Sequence, residues 1–234
     1  MSKRPLTRQL PLEFDHESAS GRDDLIVSDR LSAAVGIVDR WPDWPSPVVI
    51  LAGPTGSGKS HLAGIWAERV GARVVNIERP DPMVLEMAAL GPVLIEDIDR
   101  SAFDETALFH LINAVREHGS ALLITTRLWP AGWNVTLPDL VSRLKAATVV
   151  EIAEPDEELL AQILVKLFAD RQVAVDNRII LWLVARMERS LAAARAIVTR
   201  IDQLALARGS KITRALAAEV MAEMDAGKDD MEVS

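Results

Sequence analysis

The sequence has no cysteine among its 234 residues. That absence excludes a disulfide framework and any Cys-ligated zinc site, and it points to a reducing, cytoplasmic interior. Also missing is any apolar run approaching the roughly 18 residues of a membrane span. The basic opening MSKRPLTRQ is not followed by the apolar core of a signal peptide, so no membrane partner is expected. Basic residues are in deficit, 26 Lys and Arg against 34 Asp and Glu, for a formal charge of −8. Such a surface repels a phosphate backbone unless its cations are locally gathered, so unaided DNA binding is not the first expectation. Apolar residues are plentiful at 49%, enough to bury the core of one medium domain or a domain with a small appendage.

Residues 1–23 carry Pro5, Pro11 and Gly21 and read as a tail. Ser28 can cap a helix to about Trp41, after which WPDWPSP leads into the buried strand Val48–Ala52. Strands and helices then alternate. The pattern predicts a helix over Lys59–Val70, a strand over Ala72–Ile77, a short helix capped by Asp81 with Pro82 in its first turn, and a strand over Val93–Ile95. A helix over Asp104–His118 closes at Gly119, with Leu108, Leu111, Ile112 and Val115 on one face. A strand over Ala121–Thr125, a short helix over Leu137–Ala146 and a last strand over Thr148–Ile152 complete the alternation. It implies an α/β domain over 24–154 whose parallel five-stranded sheet is covered on both faces. Beyond Glu154-Pro155 everything reads as helix, over 156–171, 176–188, 190–207 and 213–224, giving a small all-α lid domain over 155–225 and a polar tail over 226–234.

GPTGSGKS, Gly53-Pro54-Thr55-Gly56-Ser57-Gly58-Lys59-Ser60, lies between a buried strand and a helix start, where G-x-x-x-x-G-K-[ST] must lie to hold phosphate. Its glycines let successive N–H groups turn inward at phosphate oxygens, Lys59 adds a point charge, and the helix N-terminus adds partial positive charge. Ser60 offers a hydroxyl to Mg²⁺. Glu96 and Asp97 follow the third strand in VLIEDID, at the strand end where ligands of open α/β sheets bind. One carboxylate can hold the metal's water shell and the other can orient an attacking water. Thr125 and Thr126 end the next strand, either as contacts to the γ-phosphate or water, or as plain β-formers. Arg143 and Arg189 stand out by position, since a permanently charged planar guanidinium suits developing phosphoryl charge.

A P-loop domain, an acidic pair, a polar strand end, an arginine before the last strand and another in a helical lid together resemble the AAA+ P-loop NTPases. LAGPTGSGKSHLA, LIEDID, LPDLVSRL and RSLAAARAIVTRIDQL look like the regulatory, Hda-type branch of the DnaA family, over about residues 9–224. The resemblance implies ADP or ATP with Mg²⁺ as cofactors and a nucleotide site extended by His61, by Leu25 and Ile26 near the adenine, and by Arg189 as the lid's sensor arginine. It implies that Ser60 and Glu96 attend the metal and that Asp97 has a catalytic part. Arg143 becomes an arginine finger, offered to the ATP site of DnaA. Two departures weaken self-hydrolysis and economise on fingers: Glu96 stands where the family has Asp, and Ala147 stands where initiators carry a second arginine. Only residues 225–234 follow the last predicted helix, so a DNA-binding domain after the lid is not expected. The resemblance further implies a homo-oligomer, a dimer, at the nucleoid or replisome. A helicase-loader type ATPase working alone is the main alternative; a small-molecule P-loop kinase fits less well.

The tail carries QLPLEF, Gln9 to Phe14. Leu10, Leu12 and Phe14 alternate onto one side of an extended segment that Pro11 keeps from helix, a shape suited to a partner's groove. The alternative is a tail folded back to plug its own domain. The hexapeptide resembles the motif Q-L-x-L-x-F that binds the DNA polymerase III sliding clamp, its beta subunit. DNA would then be reached only indirectly, through the clamp.

Overall fold

The computed structural model describes residues 29–78 and 84–232. The expected clamp-binding residues Gln9, Leu10, Leu12 and Phe14, the adenine-side Leu25 and Ile26, and the caps at Ser28 and Asp81 lie outside the described residues.

Five parallel strands form one sheet in the order β2-β3-β4-β1-β5: β1 Val48–Ala52, β2 Arg73–Val74, β3 Val93–Ile95, β4 Leu122–Thr126 and β5 Thr148–Glu151. The inner strand β1 is fully buried, and its alternation supplies two cores at once. Val48 and Ile50 face a core built with α3 (Val84–Leu90), α4 (Glu105–Glu117) and α5 (Pro138–Lys145). Val49 and Leu51 face a second core with α1 (Asp29–Asp39) and α2 (Lys59–Val70). The α4 stripe Leu108, Leu111, Ile112 and Val115 is at most 1% exposed, as its spacing requires, and each side chain contributes about 1.5–3 kcal/mol of burial. Asp104 caps α4 by accepting from the Ala107 N–H, and Gly119 (φ 63°) follows its last turn.

The helical unit comprises α6 (Glu157–Asp170), α7 (Asn177–Val184), α8 (Leu191–Arg208) and α9 (Arg214–Glu232), packed around their own apolar cluster. Asp156, Asp176 and Ser190 cap α6, α7 and α8 with side-chain oxygens. Several boundaries differ from expectation. The second strand is only Arg73–Val74, at the sheet edge with both side chains exposed, although Val75 still donates to the Leu94 carbonyl at 2.9 Å. Helix α7 stops at Val184 rather than 188, and α9 continues past 224 to Glu232. A single 3₁₀ turn, Pro130–Gly132, occupies the turn-rich segment after β4. Among the described residues no helix is long and apolar enough to cross a membrane.

Candidate functional site

The loop from β1 to α2 is built on glycines that no other residue would replace cheaply. Gly53 (φ 159°) would drive a Cβ to within 2.1 Å of the Ile152 carbonyl oxygen, and Gly56 (φ 75°) would drive one to within 2.4 Å of the Ser190 Cβ. Gly58 (φ 102°) initiates α2, and Gly71 (φ 68°) ends it. Lys59, 4% exposed, folds its ammonium over the loop and donates to the carbonyls of Gly53 and Pro54, each at 2.7 Å. Burial pushes the Lys59 ammonium below its ordinary value, while the carboxylates of Asp97 and Asp99 act in the opposite sense. Thr55 and Ser60 are exposed, Pro54 and His61 half-buried, His61 lying on the first turn of α2. Ser57 is 2% exposed, and its Oγ has no hydrogen-bond partner among the described residues. An orphaned hydroxyl beside three glycines and a buried lysine fits a ligand rich in acceptor oxygens, the chemistry of nucleotide phosphates.

Two strand ends complete the site. Glu96 leaves β3 near enough to Ser60 for the hydroxyl to act on its carboxyl. Burial, then the neighbouring Asp97 charge, pushes the Glu96 carboxyl up, against the pull of the Ser60 bond. Among the described residues no three His, Asp or Glu side chains gather at a metal-binding spacing, so a Mg²⁺ here would be completed by phosphate oxygens and water. Asp97 takes a left-handed backbone (φ 45°), a conformation that costs on the order of 1–3 kcal/mol and that Asp tolerates better than most. Thr125 holds it there: the fully buried Oγ1 accepts from the Asp97 N–H at 2.8 Å, and the Thr125 carbonyl accepts from Ile98 at 3.1 Å. In this geometry Thr125 positions the acidic turn, and its hydroxyl proton stays free to donate. Thr126 is turned away, donating to the Leu128 carbonyl at 2.8 Å.

Sequence reasoning missed Asp99, two residues beyond the acidic pair. Its carboxylate, in a side chain only 5% exposed, accepts from the backbone N–H groups of Arg127 (3.0 and 3.1 Å) and Leu128 (2.9 Å). It ties the loop after β4 to the loop after β3. Burial alone would raise the Asp99 carboxyl, but these backbone donors and the Arg127 charge together hold it below its ordinary value. The stability it contributes is therefore present above the ordinary carboxyl value and is lost as pH falls through the lower folded one. Asp99→Ala should cost about 1.5–3 kcal/mol in urea unfolding at pH 7, since two backbone N–H groups lose their bonds to an ionised acceptor. That deficit should shrink below about pH 4, where the unfolded chain's carboxyl takes up its proton and the folded one follows at lower pH; a pH-independent deficit would refute this account.

The lid touches the phosphate loop through the start of α8. The Leu191 N–H donates to the Gly56 carbonyl at 2.8 Å, and Ser190, 3% exposed, caps the helix by accepting from Ala193 at 3.0 Å. Arg189 sits immediately before this cap, not in the helix, and its guanidinium pairs with Glu157 at 2.8 Å, both side chains more than half exposed.

Arg143 is elsewhere. It stands in the last turn of α5, and its side chain lines a cleft with Val48, the first residue of β1, whereas the phosphate loop leaves the other end of that strand. Five steps of about 3.3 Å separate Val48 from Gly53, so the Val48 edge of this cleft lies roughly 16 Å along the sheet from the start of the phosphate loop. The half-buried side chain has no hydrogen bond or ion pair with any described residue. Its helix is anchored by Glu105, whose carboxylate accepts from the N–H groups of Thr136 (3.0 Å) and Leu137 (2.7 Å); those backbone bonds, Thr136 first, hold the Glu105 carboxyl low.

No family model matches the chain. It is 25% identical over 222 residues to the chromosomal replication initiator protein DnaA of Thermomicrobium roseum, an alignment covering 83% of this chain and 47% of that protein. Domain III of the Thermotoga maritima replication initiation protein DnaA superposes with a TM-score of 0.73 at 18% identity, covering 87% of this chain and 96% of the domain. The chain is similar in sequence to DnaA and shares the fold of its domain III. The AMPPCP-bound DnaA of Aquifex aeolicus (TM-score 0.65, 18% identity, 89% of this chain and 69% of that one) shares the fold. So does the Thermotoga maritima RuvB branch migration motor (0.64, 17%, 87% and 71%). The DnaA-like chain spans about half the length of the curated relative it matches, 47%.

Proposed function

We propose that this protein holds a nucleotide in its own loop, docks on the sliding clamp through Gln9–Phe14, and presents Arg143 in trans to the ATP site of DnaA, leaving DnaA with ADP. The observation that carries the reading is Arg143 itself: a guanidinium unpaired among the described residues and remote from its own phosphate loop has no hydrolytic part to play in cis. In the chain's own site the backbone amides of 53–60 and Lys59 would hold ADP or ATP phosphates, and Ser60 with Glu96 would attend Mg²⁺, which supplies charge neutralisation there. Lys59 must exchange its two carbonyl acceptors for phosphate oxygens when a nucleotide binds. Asp97, set by Thr125, is the group available to orient a water. The extra methylene of Glu96, where the family has Asp, favours holding nucleotide over turning it over.

The test is hydrolysis of ATP pre-bound to DnaA, with clamp loaded on DNA and this protein added. Faster conversion to DnaA–ADP is expected, dependent on the clamp. Leu12→Ala with Phe14→Ala should abolish clamp pull-down and the clamp-dependent acceleration while nucleotide retention by this protein stays unchanged. DnaA–ATP decaying at one rate with and without the protein would sink the reading.

A further inference from the structure

We propose that Arg116 is a second cation for the same phosphoryl group that Arg143 receives, the two arginines and Ser46 forming one phosphoryl-binding cleft. The cleft, about 170 Å³, lies between the last turns of α4 and α5 and the Pro45-Ser46-Pro47 entry to β1. Its lining includes Arg116 and Arg143 and no acidic residue, in a chain whose net charge is −8. Neither guanidinium has a hydrogen bond or ion pair with any described residue, although Asp139 stands one helical turn before Arg143. A helix C-terminus explains one cation in its last turn. It does not explain two, from different helices, lining one cavity whose lining has no acidic residue.

The third donor comes from the floor. Ser46 Oγ accepts from the Val48 N–H at 3.3 Å, which leaves its hydroxyl proton free to donate, while Pro45 and Pro47 contribute no N–H. Two guanidinium forks and a hydroxyl suit the three terminal oxygens of a phosphoryl group better than the two of a carboxylate. The buried Ile112, one turn before Arg116, anchors that end of α4 against the sheet core. Because this cleft sits at the strand end opposite the protein's own phosphate loop, its phosphoryl group must arrive on another molecule, and in resting on the proposed function we assign it to nucleotide held by the neighbouring AAA+ partner.

The test begins without that partner. Tripolyphosphate is titrated into full-length protein carrying Lys59→Met, which silences the protein's own loop, with arginine Nε–H signals followed by NMR. Saturable shifts at both arginines are expected, with affinity falling at least tenfold in Arg116→Gln and in Arg143→Gln and less in Arg116→Lys; acetate should give no saturable shift. Affinity within twofold of the parent in Arg116→Gln, or acetate matching tripolyphosphate, overturns the proposal. In the DnaA assay, Arg116→Gln should lower stimulation at least tenfold. Stimulation that needs Arg143 but not Arg116 refutes the second cation and spares the proposed function. A wild-type protein that binds tripolyphosphate through both arginines yet leaves DnaA–ATP untouched supports the cleft and overturns the DnaA reading instead.

Discussion

Arg143→Ala should lower stimulation of DnaA-bound ATP hydrolysis by about 10³-fold or more, because an arginine supplied in trans is worth about 10³–10⁵ in rate when it meets the charge developing on the transferred phosphoryl group. The location of the side chain makes this a clean experiment. Its helix is held by Glu105 at one end and by buried Leu140 and Leu144 along its inner face, none of which involves the guanidinium. Truncation therefore removes a charge without removing a support. Nucleotide retention by the protein and its clamp pull-down should stay at wild-type levels, the phosphate loop starting roughly 16 Å along the sheet from the Val48 edge of the cleft. Arg143→Lys should be intermediate and nearer to Ala, since a point charge keeps the Coulomb attraction and loses the planar fork. Stimulation retained within a few-fold in Arg143→Ala would mean that the finger is another residue, or that hydrolysis is promoted by rearranging DnaA.

How much of this was legible depended on whether a feature was written locally. Helix α2 runs Lys59–Val70 as the sequence predicts because glycines with positive φ bracket it, Gly58 before and Gly71 after. Asp104 and Gly119 announce both ends of α4 in the same way. Helix α7 shows the limit of periodicity: Met187 continues the apolar stripe and is 6% exposed, yet the backbone has already left the helix at Ala185. Spacing records which side chains are buried, and a turn can bury one as well as a helix can. The opposite error occurs in α9, whose stretch beyond 224 has no apolar stripe and carries Gly227 and three Asp, so neither pattern nor propensity announced its helix. Edge strand β2 has too few partners for its alternation to fix its length.

In the site, the phosphate loop and the acidic pair could be read because each is a run of adjacent residues. Asp99 belongs to the same run, but its importance comes from Arg127 and Leu128, 28 and 29 residues on. Likewise nothing near Gly56 in the sequence announces Ser190. Glycine there is legible as phosphate chemistry, and its second reason, the lid pressing on the loop, appears only once the chain is folded.

That second reason gives a prediction which separates backbone from packing. Gly56→Ala should destabilise the protein by about 2–5 kcal/mol: about 1–2 from a β-carbon in the left-handed region, plus about 1–3 from overpacking against Ser190. Gly119 has a similar φ of 63° but no heavy atom within 4 Å of where its Cβ would go, so Gly119→Ala should show the backbone cost alone, about 1–2 kcal/mol. The excess at position 56 is then the price of the lid contact. It should be recoverable from the other side. Ser190→Gly removes the Cβ and Oγ that a new methyl would meet at 2.4 and 2.5 Å, and glycine at an N-cap costs only a few tenths of a kcal/mol. The double variant should therefore return to within about 1 kcal/mol of Gly119→Ala, a coupling of about 1–3 kcal/mol in a double-mutant cycle read by urea unfolding. Nucleotide affinity should follow the same order, falling most in Gly56→Ala, where the loop and the start of α8 can no longer close on each other. Additive losses across the cycle would show that the lid does not bear on the loop in solution, and Gly56 would then be conformationally required and nothing more.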